Sequence, residues 1–240
     1  MLFFFIRHGD PTYSPNQLTP LGEHQAEAIA KRLALYGIDQ IYASTSNRAV
    51  QTAQPTCELL KKEVTLLDWC NETHAARDFN ISDEANERDW CFQHKTYKTL
   101  FNSNEMHALG KAWYEHSALT AHRDQLKNGI ERVEKETYAL FSALGYEHDT
   151  QHNCYRATRP NDDRIALFAH AGFGMAFLSV VLDIPYPMFS TRFGLAHTGM
   201  TVIEFANKDG KIIPRALQVN SDAHLYREGL PTNYNNRLRF

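Results

Sequence analysis

Five apolar residues in a row, Leu2-Phe3-Phe4-Phe5-Ile6, stop abruptly at Arg7-His8-Gly9. A strand with one wet face would alternate, whereas an unbroken run of this length belongs to a strand covered on both faces. Such a strand needs a layer above it and a layer below, which points to an α/β architecture. Its end matters as much as its body. In open α/β sheets, ligands gather beyond the carboxyl ends of the strands, and this end carries an arginine, a histidine and a glycine.

The rest of the chain supplies the layers. Thr19 as N-cap and Pro20 at the first helical position open a helix on which Ala26, Ile29, Ala30, Leu33 and Tyr36 recur at helical spacing, closed by Gly37. Ile38 to Ala43 reads as a strand, Ser46 to Lys62 as a helix bent at Pro55, and Val64 to Leu67 as a third strand. From Cys70 the periodicity weakens until Arg123 to Leu144, an amphipathic helix ended by Gly145. We read about 73–163 as a mainly helical insertion capping the catalytic edge, with the polar Asp149 to Asp163 stretch as a loop. Ile165 to Ala169 is a further buried strand, followed by a helix over Phe173 to Leu182. Met200 to Phe205 and Lys211 to Val219 flank Asn207-Lys208-Asp209-Gly210, a hairpin signal. The expectation is one domain over 1–240: a three-layer α/β sandwich whose central sheet is mostly parallel and flanked by helices, with antiparallel strands near the end.

Composition removes several classes of function. A formal charge of -3 from 25 basic and 28 acidic residues argues against a surface built to neutralise nucleic-acid phosphates. The four cysteines, Cys57, Cys70, Cys91 and Cys154, form no CxxC pair, so neither a zinc ribbon nor a disulfide scaffold is indicated. The apolar N-terminus is too short to be a signal peptide or to span a bilayer, and no other window is long enough. No membrane partner is expected, and the cytoplasm is the expected compartment. His148 and His152 lie four apart but in a polar, loop-like context, and no metal site is expected. There is no P-loop, no GxSxG and no HExxH, and Phe177 stands where a dinucleotide fingerprint needs its third glycine.

What remains is a convergence of basic groups. Arg7 and His8 follow the first strand, Arg48 follows the second through Ser44-Thr45-Ser46-Asn47, and His170 follows the strand ending at Ala169. Two arginines and two histidines at one sheet edge repel one another, and a dianionic ligand relieves them. Guanidinium forks match phosphate oxygens in pairs. A histidine inside a phosphate pocket suggests covalent phosphoryl transfer, with His8 as nucleophile and Arg7, Arg48 and His170 stabilising the equatorial oxygens. The departing oxygen needs a proton. Glu72, just after the third strand, is the candidate acid, with Asp10 and Glu105 as substitutes. His197 and His224 follow or flank late strands and either line the pocket or support the fold. No cofactor is called for, because cationic and donor side chains already do a metal's electrostatic work.

Five stretches then carry a family resemblance: FFIRHGD at Phe4 to Asp10, LTPLGEHQA at Leu18 to Ala26, IYASTSNRAVQTA at Ile41 to Ala53, FAHAGFGMAF at Phe168 to Phe177, and VNSDAHL at Val219 to Leu225. In this order they resemble the histidine phosphatase superfamily, in its phosphoglycerate-mutase-like branch, from residue 2 to about 225, the middle insertion being unmatched. The resemblance implies that His8 becomes phosphorylated, that Arg7, Arg48 and His170 bind phosphate, and that Glu72 is the acid. It departs in places. Ser14 stands where the family usually has asparagine, with Asn16 two positions on, and either is a candidate for the extra phosphate ligand. The glycine-and-tryptophan context after the acid is missing. The short segment between Gly9 and the LTPLG helix lacks the tryptophan-bearing loop of glycolytic mutases, which favours a metal-independent phosphomonoesterase acting on a small phosphorylated substrate. The alternatives are a phosphoglycerate-type mutase and a catalytically silent phospho-ligand-binding regulatory module. The oligomeric state is left open, a homodimer included.

Overall fold

The computed structural model describes residues 1–83, 85–206 and 210–232. Six strands form the main sheet: β1 (Leu2–Arg7), β2 (Gln40–Ser44), β3 (Val64–Leu67), β4 (Arg164–Ala169), β5 (Met200–Glu204) and β6 (Arg215–Ser221). Their spatial order is β6-β5-β1-β4-β2-β3, with β1, β4, β2 and β3 parallel, β5 antiparallel to β1, and β6 antiparallel to β5. Register fixes where the chemistry falls. Ile6 lies beside Phe168, and Phe168 beside Ala43, so Arg7, His8, His170 and Ser44 leave the sheet at one edge.

The apolar run behaves as its pattern requires. Phe3, Phe4, Phe5 and Ile6 are fully buried, and they alternate between two cores. Phe4 and Ile6 pack under α1 (Pro20–Tyr36) and α2 (Asn47–Leu60) with Ile29, Leu33, Ile41 and Ala53. Phe3 and Phe5 face the opposite layer, where both meet the ring of Phe177. Burying four such side chains contributes roughly 1.5–3 kcal/mol each.

That opposite layer consists of α3 (Glu72–Phe79), α4 (Arg123–Ala143) and α5 (Ala171–Val181). Leu126, Val133 and Phe141 of α4 are buried in the same core as Phe3 and Phe5. The segment expected as a helical insertion therefore divides. Its helices α3 and α4 cover the sheet, while residues between them bring Trp90, Phe92 and Gln93 to the rim of a cavity that also holds Arg7 and Glu72.

The structure corrects the reading of Asp149 to Asp163 as a loop. Cys154–Ala157 is a strand, paired antiparallel with Tyr146–Asp149 on one side and Lys211–Ile212 on the other. Its first half, Cys154 and Tyr155, is buried, and its second half is not, with Arg156 pointing out to Glu147. The stretch from Lys211 to Val219, read as one strand, is likewise two, since 211–212 serves this small sheet and β6 serves the main one. The turn residues Asn207 to Asp209 lie outside the described residues. Caps are as expected: the Thr19 side chain accepts from the Gly22 N–H, and Gly37 closes α1 at φ 71°. Among the described residues, no helix is long and apolar enough to cross a membrane.

Candidate active site

The turn after β1 is clamped from two helices. The Gly9 N–H donates to Thr52 Oγ1 of α2 at 2.9 Å. The Asp10 N–H donates to Gln25 Oε1 of α1 at 2.8 Å, and Thr19 Oγ1 donates to Asp10 Oδ2 at 2.7 Å. Backbone meets backbone here: a Cβ on Gly22 would lie 2.1 Å from the Asp10 carbonyl oxygen, and one on Gly9 would lie 2.7 Å from that of Gly22. So Thr19, Gly22 and Gln25 form the socket in which the His8 turn sits.

His8 is buried at 2% exposure. Its Nδ1 lies 2.7 Å from the Gly9 carbonyl oxygen, which can only accept, so the proton is on Nδ1. Nε2 keeps its lone pair, and Arg48 Nε donates to it at 3.2 Å. Burial first, then Arg7 and His170, hold the imidazole well below its usual range, against the opposing pull of the Gly9 carbonyl. A neutral imidazole with Nε2 unprotonated is the nucleophilic form.

His170 is fixed in the complementary sense. Ser44 Oγ accepts from the Ser46 N–H at 3.2 Å and lies 2.8 Å from His170 Nε2. With the Ser44 hydroxyl donating to Nε2, His170 Nδ1 carries the proton, and this buried nitrogen has no hydrogen-bond partner among the described residues. Burial and then Arg48 and Arg7 keep the ring well below the usual imidazole range, so it is a neutral donor. The rings of His8 and His170 lie 5.2 Å apart between centroids.

Arg7 donates through Nη1 to the Leu195 carbonyl at 2.6 Å and through Nη2 to His197 Nε2 at 2.9 Å. Its Nε is a second buried donor without a partner among the described residues. Arg48 reaches Asn16 Oδ1 through Nη1 at 3.0 Å, and Asn16 Nδ2 donates to Ser46 Oγ. Two guanidiniums and a fixed imidazole N–H thus converge around His8, with two of their donors unspent.

Glu72 begins α3, yet its carboxylate sits at the N-terminus of α5. Oε1 accepts from the Gly172 N–H at 2.9 Å, and Oε2 accepts from the Phe173 N–H at 2.8 Å. Burial raises its pKa and outweighs those two bonds and the pull of Arg7 and Arg48. Arg7 and Glu72 line one cavity of about 500 Å³.

Of the residues marked in the sequence, Arg7, His8, Arg48, His170 and Asn16 come together, and Glu72 shares the cavity with Arg7. Ser14 does not join them; it is exposed at the tip of the Pro11–Leu18 hairpin. Asp10 is engaged by Thr19 and lies 3.4 Å from His197 Nδ1. Glu105 is exposed, opposite His116. His197 does line the cluster, its ring 5.6 Å from that of His8, with Arg7 at one nitrogen and Asp10 at the other. Burial and then Arg7 push its pKa down to about 4, so it stays an acceptor for Arg7. His224 supports the same loop through Thr198 Oγ1 at 3.0 Å. Ser44 and Thr52 are the functional residues that sequence reasoning missed, although both lie inside the matching stretch.

The profile of the histidine phosphatase superfamily, branch 1, matches residues 3–135. A direct comparison with curated protein sequences finds no match. Solved structures do. Phosphoserine phosphatase from Entamoeba histolytica, in complex with 3-phosphoglyceric acid, superposes with a TM-score of 0.57 at 22% identity, covering 93% of this chain and 98% of its own. A mycobacterial glucosyl-3-phosphoglycerate phosphatase gives 0.57 at 17% identity, covering 92% and 98%. The alpha-ribazole phosphatase of Shigella flexneri gives 0.54 at 19%, covering 92% and 96%. The central sheet and its helical layers match the fold of these neighbours. The chain belongs to the histidine phosphatase superfamily.

Proposed function

We propose that this member of the histidine phosphatase superfamily hydrolyses small phosphomonoesters through a phosphohistidine on His8, with no metal in the step. The observation that carries the reading is the pair of buried donors without partners among the described residues, Arg7 Nε and His170 Nδ1, close to an unprotonated imidazole nitrogen, His8 Nε2, that is held by the Arg48 guanidinium. Buried donors are normally paired. A phosphoryl group in line with Nε2 pairs both.

The lone pair of His8 Nε2 attacks phosphorus, and the ester P–O bond breaks as the P–N bond forms. The departing oxygen takes its proton from Glu72, whose raised pKa keeps that proton available. Arg7, Arg48 and His170 hold the equatorial oxygens as charge shifts toward them. Water then attacks the phosphohistidine and gives a proton back to Glu72, the P–N bond breaks, and inorganic phosphate leaves. Asn16 holds Arg48 in place and stands close enough to be a further phosphate ligand. The fold neighbours are named as phosphatases, which supports hydrolysis as the outcome.

Phosphate release over a panel of monoesters, with and without a chelator, tests this. Turnover should persist undiminished in chelator, because the positive charge belongs to Arg7 and Arg48. Activity lost with chelator and restored by a divalent ion would overturn the metal-free step.

A further inference from the structure

We infer that the cavity beside the phosphate cluster selects monoesters whose leaving group is uncharged and flat, an aromatic or heteroaromatic alcohol, and discriminates against leaving groups that carry a carboxylate. This rests on the phosphatase reading and deepens it by naming the substrate class.

The walls favour a flat body. Trp90, Phe92, Phe193 and Tyr13 line the cavity, whose volume of about 500 Å³ suits an aryl or nucleoside group. The Trp90 indole lies so tightly on the start of α5 that a Cβ on Gly172 would be 2.1 Å from its Cη2 and 2.5 Å from its Cζ3. It is a fixed platform on which a planar group stacks. At the rim, Gln93 is exposed, and its amide makes no hydrogen bond among the described residues. It offers a donor and an acceptor to the edge of a heteroaromatic ring.

The charges disfavour an anion there. Arg7 is the one cation among the described residues that line the cavity, and its two terminal nitrogens are held by Leu195 and His197. Arg192, next to Phe193, turns its Nη1 toward the Met188 carbonyl at 3.4 Å. The N-terminus of α5, where a carboxylate would otherwise dock, is filled by both oxygens of Glu72. A second carboxylate would find no unengaged cation among the described residues that line the cavity, and Arg48, which lies against Tyr13, is already held by His8 and Asn16.

The test uses four alkyl monophosphates, so that leaving-group reactivity does not bias it: a nucleoside 5′-monophosphate and 2-phenylethyl phosphate against O-phosphoserine and 3-phosphoglycerate. Each is titrated calorimetrically into folded His8→Ala protein, which reads binding without turnover, and each is assayed with wild type. The flat pair should bind about tenfold or more tightly than the carboxylates, the usual worth of one stacked ring. Trp90→Ala should shrink that preference. Gln93→Arg, at an exposed position that tolerates the change, should raise affinity for the carboxylates about tenfold by supplying the missing charge partner. Equal or better binding of the carboxylates, a preference that survives Trp90→Ala, or no gain from Gln93→Arg would each overturn the inference. A binding preference without turnover of any ester would support it and overturn the phosphatase reading instead.

Discussion

Beneath α1 and α2 the sheet buries mostly aliphatic side chains, Ile6, Ile29, Leu33, Ile41 and Val202 among them. Beneath α3, α4 and α5 it buries rings, from Phe3, Phe79, Phe141, Phe173, Phe177 and Tyr186. The polar side chains differ in the same way. On the first side, Thr19, Gln25 and Thr52 all bond to the turn that carries His8. On the second, Glu72 reaches the N-terminus of α5, and Trp90 lies on it. In the proposed reaction, the first side fixes the turn of His8 and carries Arg48, while the other supplies Glu72 and much of the cavity wall. Chemistry common to any phosphomonoester is therefore held apart from selection among them, and each side can be disturbed separately.

The largest separation comes from Glu72, on the ring-packed side. Glu72→Gln keeps the shape but delivers no proton, so kcat on an alkyl phosphate should fall by about 10²–10⁴-fold, with a clearly smaller loss on an aryl phosphate. In wild type the acid form of Glu72 persists to higher pH than an ordinary carboxyl, and turnover of alkyl esters should decline as pH rises through its pKa. Equal losses on both substrates would make Glu72 a positioning group and break the division of labour.

On the aliphatic side, Arg48→Ala removes a guanidinium that touches both His8 and Asn16. Inorganic phosphate or vanadate should raise the unfolding temperature of wild type. The variant should bind the anion about 10–100-fold more weakly, as expected for a lost charge-assisted pair, and most of the thermal shift should vanish. An identical shift in both proteins would place the anion elsewhere.

The two sides were not equally legible. The cluster around His8 is legible because its members stand in recognisable stretches at the ends of strands, Arg7 and His8 after β1, Arg48 after β2 and His170 after β4, whereas the hold of Thr52 on Gly9 joins residues 43 positions apart. Glu72 was visible as an acid after β3, but its hold on Gly172 and Phe173 joins residues a hundred positions apart. The sequence alone leaves His197 open, because only the fold brings it between Arg7 and Asp10. Helix α4 is evident from its period, yet nothing in that period says which sheet face it covers. The strand Cys154–Ala157 is hard to read because it is four residues long and does not alternate, and one of its two partners, Lys211–Ile212, is distant in sequence.

A smaller effect concerns stability. His8, His170, His197 and His224 are buried with pKa values below the ordinary 6.5, the last two pushed down to about 4. Below that ordinary value the unfolded chain takes up protons on them and the folded chain does not. Stability is thus nearly full from about one pH unit above that value and should fall as pH drops through it, by at most about 1.4 kcal/mol per pH unit for each histidine. Glu72, with its raised pKa, works in the opposite direction but is one group against four. Urea unfolding at about pH 8.5, 7.5 and 5.5 should show nearly equal stability at the two upper values and a drop at the lowest; a flat profile would contradict neutral burial of the cluster.

The covalent role of His8 is tested most directly by trapping the phosphoenzyme. A rapid alkaline quench during turnover, followed by mass analysis of the peptides, should find one phosphoryl group on the peptide bearing Arg7-His8-Gly9. It should be stable in alkali and lost in acid, as a phosphoramidate is, and His8→Ala should show neither the adduct nor more than about a thousandth of wild-type turnover. Undiminished turnover in His8→Ala, or a phosphoryl group found on another residue, would contradict the account.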